Sequence, residues 1–193
     1  MMKKTKIIVL AGSARKESVN KKLARVATKL LFEAGADVEY IDLKDYPMPI
    51  YDGDLESECG LPDNAKKIKQ KFKEANALVV VSPEYNSSIS PLLKNVFDWI
   101  SRTETENEPT LVAFRGKVAA LLSASPGALG GLRGLNHVRD ILGNIGVILL
   151  PDQLAIGESF KAFDTQGNLV SDKNHDRVKK IMRQLVEVTD SLN

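Results

Sequence analysis

The chain has 193 residues, which is enough for one domain with a sizeable core but short for two. Its 43% hydrophobic and 27% charged residues are typical of a globular protein rather than a disordered one. A net charge of +2 gives no case for a concentrated basic face, so we expect neither a nucleic-acid nor a membrane partner.

The sequence also predicts where the protein works. A single cysteine, Cys59, cannot form an intramolecular disulfide and has no neighbour for a metal site, which suits a reducing compartment. The basic start, Met1 to Lys6, precedes an apolar run that is too short for a signal peptide. The longest apolar runs are far below membrane-spanning length. We therefore expect a cytoplasmic protein without a bound metal.

Short apolar runs alternate with amphipathic runs along the chain. The run over 7–11 is continuously apolar, as in a strand buried on both faces. The following helix ends at Gly35, and Ser90 and Pro91 are typical of an N-cap and a first helical turn. In chain order, the predicted elements are strand 7–11, helix 18–34, strand 38–43, helix 64–75, strand 78–82, helix 90–101, strand 117–123, helix 132–145, strand 147–150 and helix 174–192.

This order predicts an α/β fold, with a parallel sheet, helices on both faces and right-handed crossovers, in one domain over residues 1–193. Ligands of such sheets bind beyond the carboxyl ends of the strands, where the strand order reverses. The loops after the first, third and fourth predicted strands are therefore the candidate site.

The first of these loops, 12–20, joins a strand to a helix, so backbone N–H groups and the positive end of the helix dipole meet there. Ser13, Ser18 and Asn20 add short polar side chains, and Arg15 and Lys16 add positive charge. Such a loop can hold a phosphate dianion through charge-assisted hydrogen bonds of about 1.5–3 kcal/mol each. The simpler alternative is a helix cap and a turn, with the basic residues in solvent.

Two common nucleotide motifs do not match this loop. No Gly-Lys-Ser/Thr follows Gly12, as a P-loop requires, and Ala14 and Glu17 occupy the later glycine positions of a dinucleotide fingerprint. Hydroxyls in place of glycines fit a terminal monophosphate better than a pyrophosphate.

The other two loops are also unusual. Two prolines stiffen the loop over 82–91, and Tyr85 lies at its centre, so it could hold one edge and one face of a planar heterocycle. The loop over 123–131 is rich in glycine and small residues, which permit close backbone approach to a ligand. Taken alone, the loop over 82–91 could just as well be a connector whose prolines only set the turn geometry. The loop over 123–131 could just as well be a flexible loop that contacts no ligand.

Together these segments resemble the NADPH-dependent FMN reductase family, a flavodoxin-like group that includes quinone, azo-dye and chromate reductases. The matching segments are GSARKESVN at 12–20, SPEYNSSISPLLKNVFDWISR at 82–102 and SASPGALGG at 123–131. The resemblance implies a flavodoxin-like three-layer sandwich with a five-stranded parallel sheet in the order 2-1-3-4-5. It also implies bound FMN, NADPH or NADH as co-substrate, and a small-molecule electron acceptor.

The resemblance further implies roles for individual residues. It places the FMN phosphate at the first loop, the isoalloxazine ring at the second, and the ring or ribityl region beside the third. Hydride transfer is the cofactor's own reaction, so no side chain is assigned a catalytic role. The implied cofactor-binding residues are Ser13, Arg15, Ser18, Val19, Asn20, Pro83, Glu84, Tyr85, Asn86, Ser123, Gly127 and Gly130.

Self-association is a further expectation. Members of the family usually form dimers, with the third and fourth helices in the interface, and some are tetramers. Phe97, Trp99 and Ile100 give the third predicted helix more large apolar surface than one buried stripe requires, which is typical of an interface. We expect His137, His175 and Cys59 to have no catalytic role.

Three functions remain open from the sequence. The first is an FMN-dependent NAD(P)H oxidoreductase that acts on quinones, azo compounds, chromate or free flavin. The second is a flavodoxin-type electron carrier, and the third is a flavin-binding module that signals redox state to a partner. Carriers tend to be strongly acidic, so a net charge of +2 favours the enzyme.

Overall fold

A computed structural model of the chain describes residues 4–192. The segment Met1 to Lys3, on which part of the signal-peptide argument depends, and Asn193 lie outside the described residues. Of the helices that this range contains, none combines the length and the apolar character that crossing a bilayer requires.

The central sheet has five parallel strands. They are β1 (Lys6–Ala11), β2 (Asp37–Asp42), β3 (Ala77–Val81), β6 (Val118–Ala124) and β7 (Ile148–Ile156), in the spatial order β2-β1-β3-β6-β7. This order confirms the expected 2-1-3-4-5 sheet. Between β3 and β6 in the chain, β4 (Glu84–Tyr85) and β5 (Ser88–Ile89) form a separate antiparallel hairpin.

Residues 4–192 contain six α-helices, and five of them pack against the two faces of the sheet. The six helices are α1 (Val19–Glu33), α2 (Gly53–Cys59), α3 (Asp63–Glu74), α4 (Pro91–Ile100), α5 (Leu132–Asn144) and α6 (Asp172–Leu192). Because side chains alternate along a strand, Ile7 and Val9 pack in the core with α1 and α6, while Ile8 and Leu10 pack in the core with α3, α4 and α5. The central strands, which are apolar over most of their length, are thus buried on both sides.

Several predicted boundaries change. The segment around Cys59, in which no helix or strand was predicted, contains α2, which buries none of its residues and therefore has no apolar periodicity. Strand β7 continues to Ile156, past the predicted end at residue 150, because a register shift between Ala119 and Leu121 lets it pair along the rest of β6. Helix α6 begins at Asp172 rather than at residue 174.

The large apolar residues of α4, the third predicted helix, do not form the exposed patch that we expected from the sequence. Trp99 and Ile100 are completely buried in their own chain, and Phe97 is 2% exposed. The indole N–H of Trp99 donates to the Pro49 carbonyl at 2.8 Å, and its ring meets Tyr51 edge-on with 5.0 Å between centroids. Trp99 therefore packs against the segment that precedes α2, and Phe97 meets Phe114 edge-on with 5.6 Å between centroids, so these apolar residues of α4 are buried within their own chain.

The charged loop over 103–109 is anchored to α3. Lys69, 1% exposed, forms an ion pair with Glu108 and donates to the Arg102 carbonyl at 2.6 Å. Burial alone would raise the pKa of Glu108, but hydrogen bonds from Lys69, the Glu104 N–H and Lys73 outweigh it and lower the pKa from 4.5 to about 2. This loop is therefore tied to the core rather than free in solvent.

Candidate active site

The first loop leads from β1 into the first turn of α1. Ser18 caps the helix, since its hydroxyl accepts from the Lys21 N–H, and Ser13 accepts from the Arg15 N–H at 3.3 Å. Arg15 is exposed, while Ser13 and Ser18 are buried. Within residues 4–192, the backbone N–H groups of Val19 and Asn20 have no protein acceptor, as expected for the first turn of a helix.

The side chain of Asn20 is occupied within the protein. Its Oδ1 accepts from the Ala124 N–H at 2.9 Å, and its Nδ2 donates to the Ala124 carbonyl, also at 2.9 Å. Asn20 is 3% exposed. The residue thus fastens α1 to the end of β6, and its backbone N–H is the group left for a ligand.

The second loop is built around the β4–β5 hairpin. Asn86 and Ser87 connect the two strands with φ of 49° and 67°, the left-handed pair that a two-residue hairpin turn requires. Tyr85, 47% exposed, projects beside this turn. Pro83 is buried and packs close to Gly12 of the first loop.

The start of α5 holds this hairpin in place. Glu84 Oε2 accepts from the Gly134 N–H at 2.9 Å, which supplies a cap to a helix whose own N-cap residue, Gly131, has no side chain for the purpose. Arg133 donates to Ser87 at 3.1 Å, and His137 Nδ1 lies 2.9 Å from Ser88 Oγ. His137 is therefore one of the α5 residues that contact the hairpin.

The third loop follows β6. Ser123 is completely buried, and its hydroxyl has no hydrogen-bond partner among the described residues. The fold itself requires a glycine at Gly130, whether or not a ligand binds. Its φ is 64°, and a Cβ there would lie 2.5 Å from the Ile156 carbonyl carbon. Gly127 is exposed, and a Cβ there would meet nothing within 4 Å.

The three loops therefore meet at one edge of the sheet, as the sequence predicted. Ser90 Oγ donates to the Gly12 carbonyl at 2.6 Å, Asn20 binds Ala124, and Glu84 binds α5, so side chains join each loop to another element. The sequence predicted that these loops lie together, but it did not show which of their side chains connect one element to another.

This edge fits an FMN molecule on two observations. The unpartnered N–H groups of Val19 and Asn20, with the dipole of α1 and the charge of Arg15, suit a phosphate dianion. The unpartnered Ser123 hydroxyl lies at the end of β6, where the neighbouring loop is exposed. Over residues 4–192, no group of three or more His, Cys, Asp or Glu has the arrangement of a metal site.

Other reactive side chains lie elsewhere. Cys59 is exposed at the end of α2. His175 lies in the first turn of α6, 3.9 Å from Asp176. Neither belongs to the three loops.

Comparison with known proteins agrees with this geometry. The NADPH-dependent FMN reductase family matches residues 5–161. An NADPH:quinone oxidoreductase of Arabidopsis thaliana is 34% identical over 95% of this chain and 91% of its own. A 2-hydroxy-1,4-benzoquinone reductase of a Burkholderia species is 30% identical over 92% of both.

A solved structure shares the fold over nearly its whole length. It is FerB, a flavoenzyme NAD(P)H:(acceptor) oxidoreductase of Paracoccus denitrificans, with 25% identity, a TM-score of 0.81 and coverage of 97% of this chain and 98% of its own. Family, relatives and loop geometry agree on an FMN-dependent enzyme that uses NAD(P)H, and the chain belongs to the NADPH-dependent FMN reductase family.

Proposed function

We propose that this enzyme reduces quinones with NAD(P)H while the three loops hold FMN. One observation carries the proposal: three loops meet at one edge of the sheet. The first loop suits a phosphate, the second contains the hairpin that α5 holds in place, and the third is exposed. Bound FMN supplies the hydride and electron chemistry of such a reaction. The quinone reductases among the relatives support the choice of acceptor.

We infer that the first loop holds the FMN phosphate. The N–H groups of Val19 and Asn20, the hydroxyls of Ser13 and Ser18, and the guanidinium of Arg15 are the donors on this loop. Both hydroxyls already accept an N–H bond, which leaves each hydroxyl proton to donate to a phosphate oxygen.

The hairpin and the third loop would hold the ring. Because the carboxylate of Glu84 is engaged by α5, the loop 83–86 would contact the ring through its backbone and through the half-exposed Tyr85. Ser123 offers a hydroxyl, and Gly127 in the open third loop leaves room for close approach. The side chains of these two loops offer no free acid, so protons would come from water.

We also propose the assembly and location of the enzyme. The chain would act as one FMN-binding domain over 1–193, in the cytoplasm, as a homodimer or a dimer of dimers built on α4 and α5. Leu132, 41% exposed near the start of α5, and the half-buried Ile141 support an interface there. Light scattering at micromolar concentration tests this proposal, and a monomeric mass would contradict it.

One experiment tests the activity. The purified protein, loaded with FMN, is reduced anaerobically by NADPH or NADH and then given quinones, azo compounds, chromate or free flavin. We expect reduction by at least one nicotinamide and reoxidation fastest with quinones. Failure to bind FMN, or reduction without transfer to any quinone, would contradict the proposal.

A further inference from the structure

The link between Asn20 and Ala124 joins two parts of the site that the sheet does not join. Strand β3 lies between β1 and β6, so no ladder hydrogen bond runs directly from the strand before the first loop to the strand before the third. Asn20 bridges this gap with two hydrogen bonds of 2.9 Å to one residue, across 104 positions of sequence. Since Ala124 is the last residue of β6, the link is made where the third loop begins.

We propose that Asn20 is a positioning residue that sets the spacing between the phosphate end and the ring end of the FMN site, rather than a side-chain ligand of the phosphate. The inference rests on the proposed function, because it assumes FMN placed across the first and third loops. The burial of Asn20 and the pairing of both ends of its amide support the proposal.

A ligand that spans two subsites depends on their spacing in a way that its fragments do not. Once one end is bound, the other end binds at an effective concentration set by the geometry of the link. Inorganic phosphate samples only the first loop, and riboflavin samples only the ring loops. A change in spacing should therefore weaken FMN while leaving both fragments nearly unaffected.

The test compares three probes on two variants. Asn20→Ala removes the link between Asn20 and Ala124. The matched control Arg15→Ala removes an exposed charge from the same loop and leaves that link intact. FMN and riboflavin are titrated by fluorescence quenching, and phosphate is titrated calorimetrically without flavin. If Asn20→Ala does not fold, Asn20→Ser is measured by the same titrations, with thermal unfolding as the check on folding.

We expect Asn20→Ala to weaken FMN by about tenfold and to change riboflavin and phosphate by no more than about twofold. We expect Arg15→Ala to weaken FMN and phosphate together and to spare riboflavin.

Three results would overturn the inference. They are a parallel loss of FMN and phosphate in Asn20→Ala, an equal loss of all three probes, or no loss of FMN. A wild-type protein that binds phosphate but neither flavin would instead overturn the proposed function.

Discussion

The carboxylate of Glu84 offers a direct test of how the hairpin is held. In the structure it caps α5 from outside the helix, with Oε2 2.9 Å from the Gly134 nitrogen and Oε1 4.0 Å from Arg133 Nε. Replacing Glu84 with alanine removes a hydrogen bond to a charged acceptor, which contributes about 1.5–3 kcal/mol. It also removes a favourable charge at a helix N-terminus, which contributes about 0.3–1 kcal/mol.

These contributions predict a loss of about 2–3 kcal/mol in the free energy of unfolding of Glu84→Ala, after allowance for partial exposure. For a chain of this size the melting temperature should fall by about 5–10 °C. Glu84→Gln keeps an oxygen that can accept from Gly134 and loses only the charge, so its loss should be about 1 kcal/mol or less.

Thermal and urea unfolding of the flavin-free protein, followed by circular dichroism, measures these differences. Glu106→Ala removes an exposed carboxylate from the loop 103–109 and serves as the control, with an expected change within about 0.5 kcal/mol. If Glu84→Ala is as stable as the wild type, or if the glutamine variant loses as much as the alanine variant, the capping role is wrong. Weaker FMN binding without any loss of stability would show that the carboxylate acts on the flavin.

Three further predictions concern binding, kinetics and acid stability. The double variant Ser13→Ala/Arg15→Ala should weaken FMN by about 2–4 kcal/mol and riboflavin far less in fluorescence titrations, and equal losses would contradict a phosphate site. The sequence has one candidate nucleotide-binding site, so NAD(P)H and quinone should bind there in turn. Double-reciprocal plots should then give parallel lines, and quinone should compete with NAD(P)H. Intersecting lines without such competition would contradict a shared site. The lowered pKa of Glu108 stabilises the fold fully above pH 4.5, and this stability declines as the pH falls towards about 2. Acid unfolding of Glu108→Gln should therefore depend less on pH over that range, and equal slopes would refute this.

Much of the fold follows from patterns that short segments carry by themselves. The buried strand β1 is a continuous apolar run, and α4 begins at a serine and a proline whose roles are local. The strand order follows from the alternation of elements together with the family resemblance. Helix α2 could not be found in this way, because its acidic residues form no apolar stripe.

The site was predictable as a set of loops but not as a set of contacts. Asn20 and Glu84 have the residue types expected of cofactor ligands, yet the structure directs both side chains at backbone groups of other elements. Both contacts join residues that are far apart in sequence, and no local pattern encodes them. Asn86 and Ser87 between the short strands β4 and β5 were a signal for a two-residue hairpin turn, since asparagine tolerates a left-handed backbone.

The burial of Trp99 gives this protein an optical probe of its own. The sequence has one tryptophan, so all indole emission reports on a single place, the contact of α4 with Pro49 and Tyr51. Detachment of the segment around Pro49 would expose the indole and shift its emission to longer wavelength, even while the sheet stays folded. Comparing that shift with circular dichroism during denaturation would show whether this segment leaves before the sheet unfolds.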